Sequence, residues 1–97
     1  MASFDELTKS HPKVLVDFSA EWCAPCKMLK PILKQVKDML GDEIKIIKID
    51  TDKNPSLATK FQIRGVPTLI LFKDGEQVWR QSGVVPAENL VQIIKSY

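Results

Sequence analysis

Both cysteines of this chain fall in one short stretch, Val14 to Pro31, which reads VLVDFSAEWCAPCKMLKP. Cys23 and Cys26 have two residues between them. Two thiols are too few to staple a secreted fold, and their spacing points to redox or metal chemistry. Structural zinc takes four ligands, and beyond the thiols the only histidine is His11, across a strand. A metal site would need a second thiol pair from another copy of the chain, so we expect no metal. A pair of buried, purely structural cysteines stays open at this point.

Two charged residues accompany the thiols. Asp17 sits inside an apolar run, and a carboxyl buried there has its pKa raised by desolvation. An edge strand would instead turn Asp17 to water. Lys48 lies within Ile44 to Asp50, where strand alternation puts it on the face of Ile44 and Ile46. It can also snorkel to solvent.

The elements that position these groups follow from periodicity and punctuation. Val14 to Ser19 is a near-continuous apolar run and reads as a strand buried on both faces. Leu29, Ile32, Leu33, Val36 and Leu40 then recur at helical spacing until Gly41. The strand ends near Ala20 and the helix begins near Cys23, so both thiols stand at the carboxyl edge of the sheet, where open α/β sheets bind ligands. Cys23 is at the helix N-terminus, whose free N–H groups and dipole favour a thiolate. Cys23 is therefore the attacking thiol, and Cys26, expected to lie deeper, resolves the mixed disulfide. Ala24 is small and Pro25 restricts the loop, which lets a partner disulfide approach. Pro31, inside the helix, predicts a kink.

Around this unit, Ser3-Phe4-Asp5-Glu6 is a capping box that predicts a short helix from Phe4 to Ser10. Ile44 to Asp50 reads as a strand. Asn54-Pro55 opens a helix that ends before Gly65. Thr68 to Phe72 and Glu76 to Ser82 form a hairpin across Lys73-Asp74-Gly75. Pro86 starts a last helix, with Val85 in the cap position. The order α, β-α-β, α, β-β-α requires a right-handed parallel crossover and gives an α/β mixed sheet with helices on both faces. One domain over residues 1–97 is expected.

Composition is that of an ordinary globular chain, 44% hydrophobic and 27% charged, with a net charge of +2. No basic block stands out, so we expect no nucleic acid, and the apolar runs are too short for a membrane. The first residues show no basic region followed by an apolar one. We therefore expect no signal peptide, a cytoplasmic location and a monomer.

Asp17-Phe18, Ala20-Glu21-Trp22-Cys23, Pro25-Cys26-Lys27, Pro31, Asp50 to Pro55 and Arg64-Gly65-Val66-Pro67-Thr68 together resemble the thioredoxin family in order and spacing. The likeness runs from about Val14 to the C-terminus. It implies the three-layer thioredoxin-like fold and a protein dithiol–disulfide oxidoreductase acting in electron transport and cell redox homeostasis. Its partners would be disulfide-containing proteins and a thioredoxin-reductase-type electron donor, with no bound cofactor. By the same resemblance, Asp17 takes the proton of Cys26 and Lys48 lies near Asp17. Pro67 follows a cis bond and faces the dithiol, and the backbone of Val66 pairs with an extended substrate. Trp22 and Gly83 shape the docking surface. Taken alone, Pro67 reads as a plain strand-start proline, and packing accounts for Trp22 equally well.

Three departures stand out. Ala24 replaces the family's usual glycine between the cysteines. Ser19 stands where a second tryptophan is common. With 13 residues before Val14, the family's N-terminal strand has no segment, so we expect four strands and an exposed edge. Oxidase- or isomerase-type exchange, a thioredoxin-like binding module and a metal-bridged dimer are the rivals.

Overall fold

The computed structural model of the chain describes residues 3–97. Met1 and Ala2, where the leaderless start was expected, lie outside the described residues. Ser3 starts helix α1 (Phe4–Lys9), its Oγ accepting the Glu6 N–H at 3.1 Å. The other half of the capping box differs from expectation. The Glu6 carboxylate accepts from the Ser3 hydroxyl at 3.3 Å, leaving the backbone N–H out of the pair.

Strand β1 (Lys13–Ser19) is buried from Val14 onward. Val14, Leu15, Val16 and Phe18 are fully enclosed, each worth roughly 1.5–3 kcal/mol of burial. Helix α2 (Ala24–Leu40) runs as one element through Pro31 and stops at Gly41, whose φ of 55° suits glycine. A short 3-10 turn, Gly41–Glu43, which the sequence did not announce, leads to strand β2 (Lys45–Asp50). Helix α3 (Pro55–Lys60) begins at its proline as expected. Asn54 does not cap it, because its side-chain amide donates to the Asp50 carbonyl at 2.9 Å. Strands β3 (Thr68–Lys73) and β4 (Glu76–Ser82) join through Asp74 and Gly75, at φ 51° and 84°. Two left-handed residues are what the twist of a tight hairpin turn demands. Helix α4 (Ala87–Ser96) takes Pro86 as its cap position, one residue later than expected.

The four strands lie in the order β2-β1-β3-β4. β1 runs parallel to β2 and antiparallel to β3, and β3 pairs antiparallel with β4. Alternation along β1 divides the core. Leu15 joins Leu69 and Leu71 under α2 and α4, packing against Leu29, Val36, Leu90 and Ile94. Val14, Val16 and Phe18 face the other way, against Phe4 of α1 and Phe61 at the end of α3. Helices thus cover both faces. The expected edge is β2, where Lys45 and Lys48 bring charge to an outer side unpaired among the described residues.

Candidate active site

β1 hands over to α2 through a turn closed by the Cys23 N–H on the Ala20 carbonyl, at 3.2 Å. Cys23 keeps extended backbone angles and occupies the cap position of α2. Pro25 falls in the first helical turn, where a missing N–H leaves nothing unsatisfied. The Cys26 N–H then has no carbonyl to reach and donates to Cys23 Sγ at 3.2 Å. Cys23 and Cys26 are joined as a disulfide, with Cα atoms 5.2 Å apart. The same N–H and the positive end of the helix dipole face the Cys23 sulfur. The expected difference in depth is absent, since Cys23 is 3% exposed and Cys26 7%.

The Val66–Pro67 bond is cis, as the resemblance implied. The Val66 carbonyl oxygen lies 3.6 Å from Cys23 Sγ. Ala20, Cys23, Cys26 and Val66 form one small apolar cluster. The segment is held from behind. Thr68 Oγ1 donates to the Gly65 carbonyl at 2.7 Å, and the Gly83 N–H to the Pro67 carbonyl at 2.8 Å. Gly83 has φ 94°, and a Cβ there would meet nothing within 4 Å. Its conformation requires glycine, and the space beside it is open.

Trp22 is 71% exposed beside the disulfide. Its Nε1–H donates to Asp52 Oδ2 at 2.8 Å, which pins the indole over the loop after β2. Sequence reasoning missed Asp52. The acidic run after β2 was a signal, but nothing in it specified an indole partner. Trp22, Thr51, Ile63, Arg64, Gly65 and Val66 line a shallow groove of about 170 Å³. A second cleft, of about 220 Å³, is lined by Ala20, Glu21, Cys26, Lys27, Lys30 and Lys48.

Asp17 shares the face of β1 with Leu15 and points under α2. It is 3% exposed, and its Oδ1 has no hydrogen-bond partner. Ser19, two residues on, has an equally orphaned Oγ. Burial pushes the Asp17 carboxyl up to about 6, against the opposing attraction of Lys48. Lys48 stands opposite Asp17 in the β1–β2 ladder, but the two form no ion pair and Lys48 is exposed. Among the described residues no group of three or more His, Cys, Asp or Glu is arranged to hold a metal ion, and no helix is long and apolar enough to cross a membrane.

Residues 1–96 match the family model described as Thioredoxin. A thioredoxin-like protein of Synechocystis sp. is 50% identical over 97 residues, which cover 99% of this chain and 92% of the relative. Chloroplastic thioredoxin Y of Oryza sativa is 50% identical over 96 residues, covering 98% of this chain but 57% of that protein. Among solved structures, a mutant thioredoxin from Halobacterium salinarum has a TM-score of 0.88 at 42% identity, over 96% of this chain and 80% of that one. Oxidised mitochondrial thioredoxin 3 from Saccharomyces cerevisiae has a TM-score of 0.87 at 33% identity, over 97% and 87%.

Proposed function

The chain belongs to the thioredoxin family, and from that premise we propose that it reduces disulfides in other proteins through Cys23 and Cys26. Protein dithiol–disulfide oxidoreductase activity goes with the family, and disulfide proteins and an electron-donating reductase are its partner classes. The assignment of individual roles is ours. The observation that carries it is the Cys23–Cys26 disulfide at the start of α2, with the Cys26 N–H on Cys23 Sγ and the Val66 backbone beside it.

In the dithiol form the Cys23 thiolate attacks one sulfur of a substrate disulfide and expels the other as a thiolate. The backbone of Val66, before Pro67, pairs with the extended substrate segment. Trp22 and Gly83 border that segment, and Ala24 and Pro25 leave room for it. Asp17 accepts the proton of Cys26, and the buried carboxyl is suited to this because its pKa lies near neutrality. Lys48 moderates that pKa from across the ladder. The Cys26 thiolate attacks the Cys23 sulfur, releases the second substrate thiolate and leaves the Cys23–Cys26 disulfide. A reductase returns two electrons and two protons. We take the unit to be a monomeric single domain. The cytoplasmic location also stands as a proposal, because chloroplastic thioredoxins are among the relatives.

The test is the dithiol reduction potential, measured by equilibration against defined thiol buffers. About −270 mV, a value typical of thioredoxin itself, supports the reductase. A value of roughly −180 to −120 mV makes it an oxidase or isomerase and points to Ala24. No two-electron transition leaves only a binding module.

A further inference from the structure

Six of the twelve lysines of this chain have a polar partner within the fold. Lys9 and Lys53 pair with carboxylates, and Lys13, Lys37, Lys45 and Lys73 each donate to an oxygen of the fold. Lys27, Lys30, Lys34, Lys48, Lys60 and Lys95 do neither among the described residues, and of these Lys27, Lys30 and Lys48 are gathered, exposed, on the one cleft beside Cys26. The sequence reading, which found no basic block, did not foresee this gathering, because two of the lysines come from α2 and one from β2.

Local structure does not account for it. Lys27 stands at the start of α2, which has no acidic residue in its first turn. A helix favours anions there, so Lys27 adds to the positive end of its dipole. Glu21, the carboxylate on the cleft, is 3.5 Å from Lys53. The cleft is therefore cationic, open and lined in part by Cys26. Its volume of about 220 Å³ admits one or two carboxylate side chains.

We propose that this cleft docks an acidic segment of the protein being reduced, through aspartate or glutamate side chains that flank the substrate cysteine. The proposal rests on the oxidoreductase reading and gives that site a substrate preference. A polyanion fits less well, because the whole chain carries only +2. Charges at the rim of an interface act mainly on encounter and on partner choice, and salt screens them.

The test uses three disulfide-bearing peptides that differ only in having glutamate, glutamine or lysine flanks. The second-order rate constant for their reduction by the dithiol protein is measured at low and high salt. At low salt the acidic peptide should react about five- to tenfold faster than the neutral one, and the gap should close at high salt. In the double variant Lys27→Glu, Lys30→Glu the preference should turn toward the basic peptide. Both sites are exposed, and glutamate is a good helix former that at position 27 also suits the helix start, so the variant should fold, which circular dichroism checks. Equal rates for the three peptides overturn the docking. So does a double variant that slows all three alike, for then the lysines act through the thiols. No reduction of any peptide overturns the oxidoreductase reading and the docking with it.

Discussion

Asp17 and Lys48 stand opposite each other in the parallel ladder of β1 and β2, the carboxyl enclosed and the ammonium exposed. They share a face of the sheet without forming an ion pair. The attraction of Lys48 therefore acts at a distance, and the loss of water around Asp17 outweighs it. A carboxyl with a pKa of about 6 is a far better proton acceptor for a thiol than one at 3.8.

The same shift makes Asp17 a liability to the fold, with a definite sign. Its folded pKa of about 6 lies above the ordinary 3.8, so the native state prefers the protonated form. That contribution is complete below about pH 4 and is lost as pH rises through 6. At pH 7 the native protein carries a penalty of about 2 to 3 kcal/mol. Asp17→Asn should therefore raise stability at pH 7 by up to about that amount and leave it nearly unchanged at pH 4. Denaturant melts at the two pH values check this. An equal effect at both would show that the carboxyl does not titrate as described.

Resolution should suffer where stability gains. On the proposed mechanism Asp17→Asn removes the proton acceptor of Cys26, and it should slow the second exchange step by about tenfold or more. The first attack by Cys23 should keep its rate within about twofold. Stopped-flow measurement of mixed-disulfide decay separates the two steps. Loss of the first step alone would remove Asp17 from the role of base.

Much of this was legible because the chemistry is local in sequence. Cys23 and Cys26 lie on one turn of chain, and the strand before them is marked by its unbroken apolar run. The β-α-β order then forced their place at the sheet edge. What escaped detection depends on groups brought together from distant segments. Asp52 meets Trp22 from a loop 30 residues away. Lys48 joins Lys27 and Lys30 only through the crossover. Asn54 has the composition of a cap, but the Asp50 carbonyl offered its amide a nearer partner. The relative depth of the two thiols was inferred from helix position, whereas Val66 folds over Cys23 and buries it as well.

Cys26→Ser should trap the protein on its substrate. With the resolving thiol gone, Cys23 still attacks, and the mixed disulfide persists until an external thiol cleaves it. Mass spectrometry should find one covalent adduct per chain, through Cys23. Cys23→Ser should yield none. Adducts through Cys26 in that variant would reverse the assigned roles.

The bond between the Trp22 indole and Asp52 orients an exposed aromatic ring, so its loss should affect docking more than folding. Asp52→Ala should lower stability by no more than about 1 kcal/mol, the range of an exposed charge-assisted bond. The Trp22 indole N–H should exchange faster with solvent, and KM for a protein disulfide should rise while kcat holds. A fall in kcat with an unchanged KM would mean that the ring serves the chemistry instead.

Gly65 and Gly83 border the dithiol region, and a Cβ at either would meet nothing within 4 Å. They differ in backbone: Gly83 has φ 94°, whereas Gly65 does not lie in the left-handed range. Gly83→Ala should therefore destabilise by about 1 to 3 kcal/mol through conformation alone. Gly65→Ala should be neutral or stabilising by up to about 1 kcal/mol, since it restricts the unfolded chain. Space is equal at the two sites, so the contrast isolates the dihedral angle. Docking adds a second readout at Gly83, where a methyl group would stand on the surface proposed to meet the substrate. KM for a protein disulfide should rise in Gly83→Ala, while the rate with a small soluble disulfide should be nearly unchanged. If both substrates slow in proportion to the loss of folded protein, Gly83 serves the turn and not the partner.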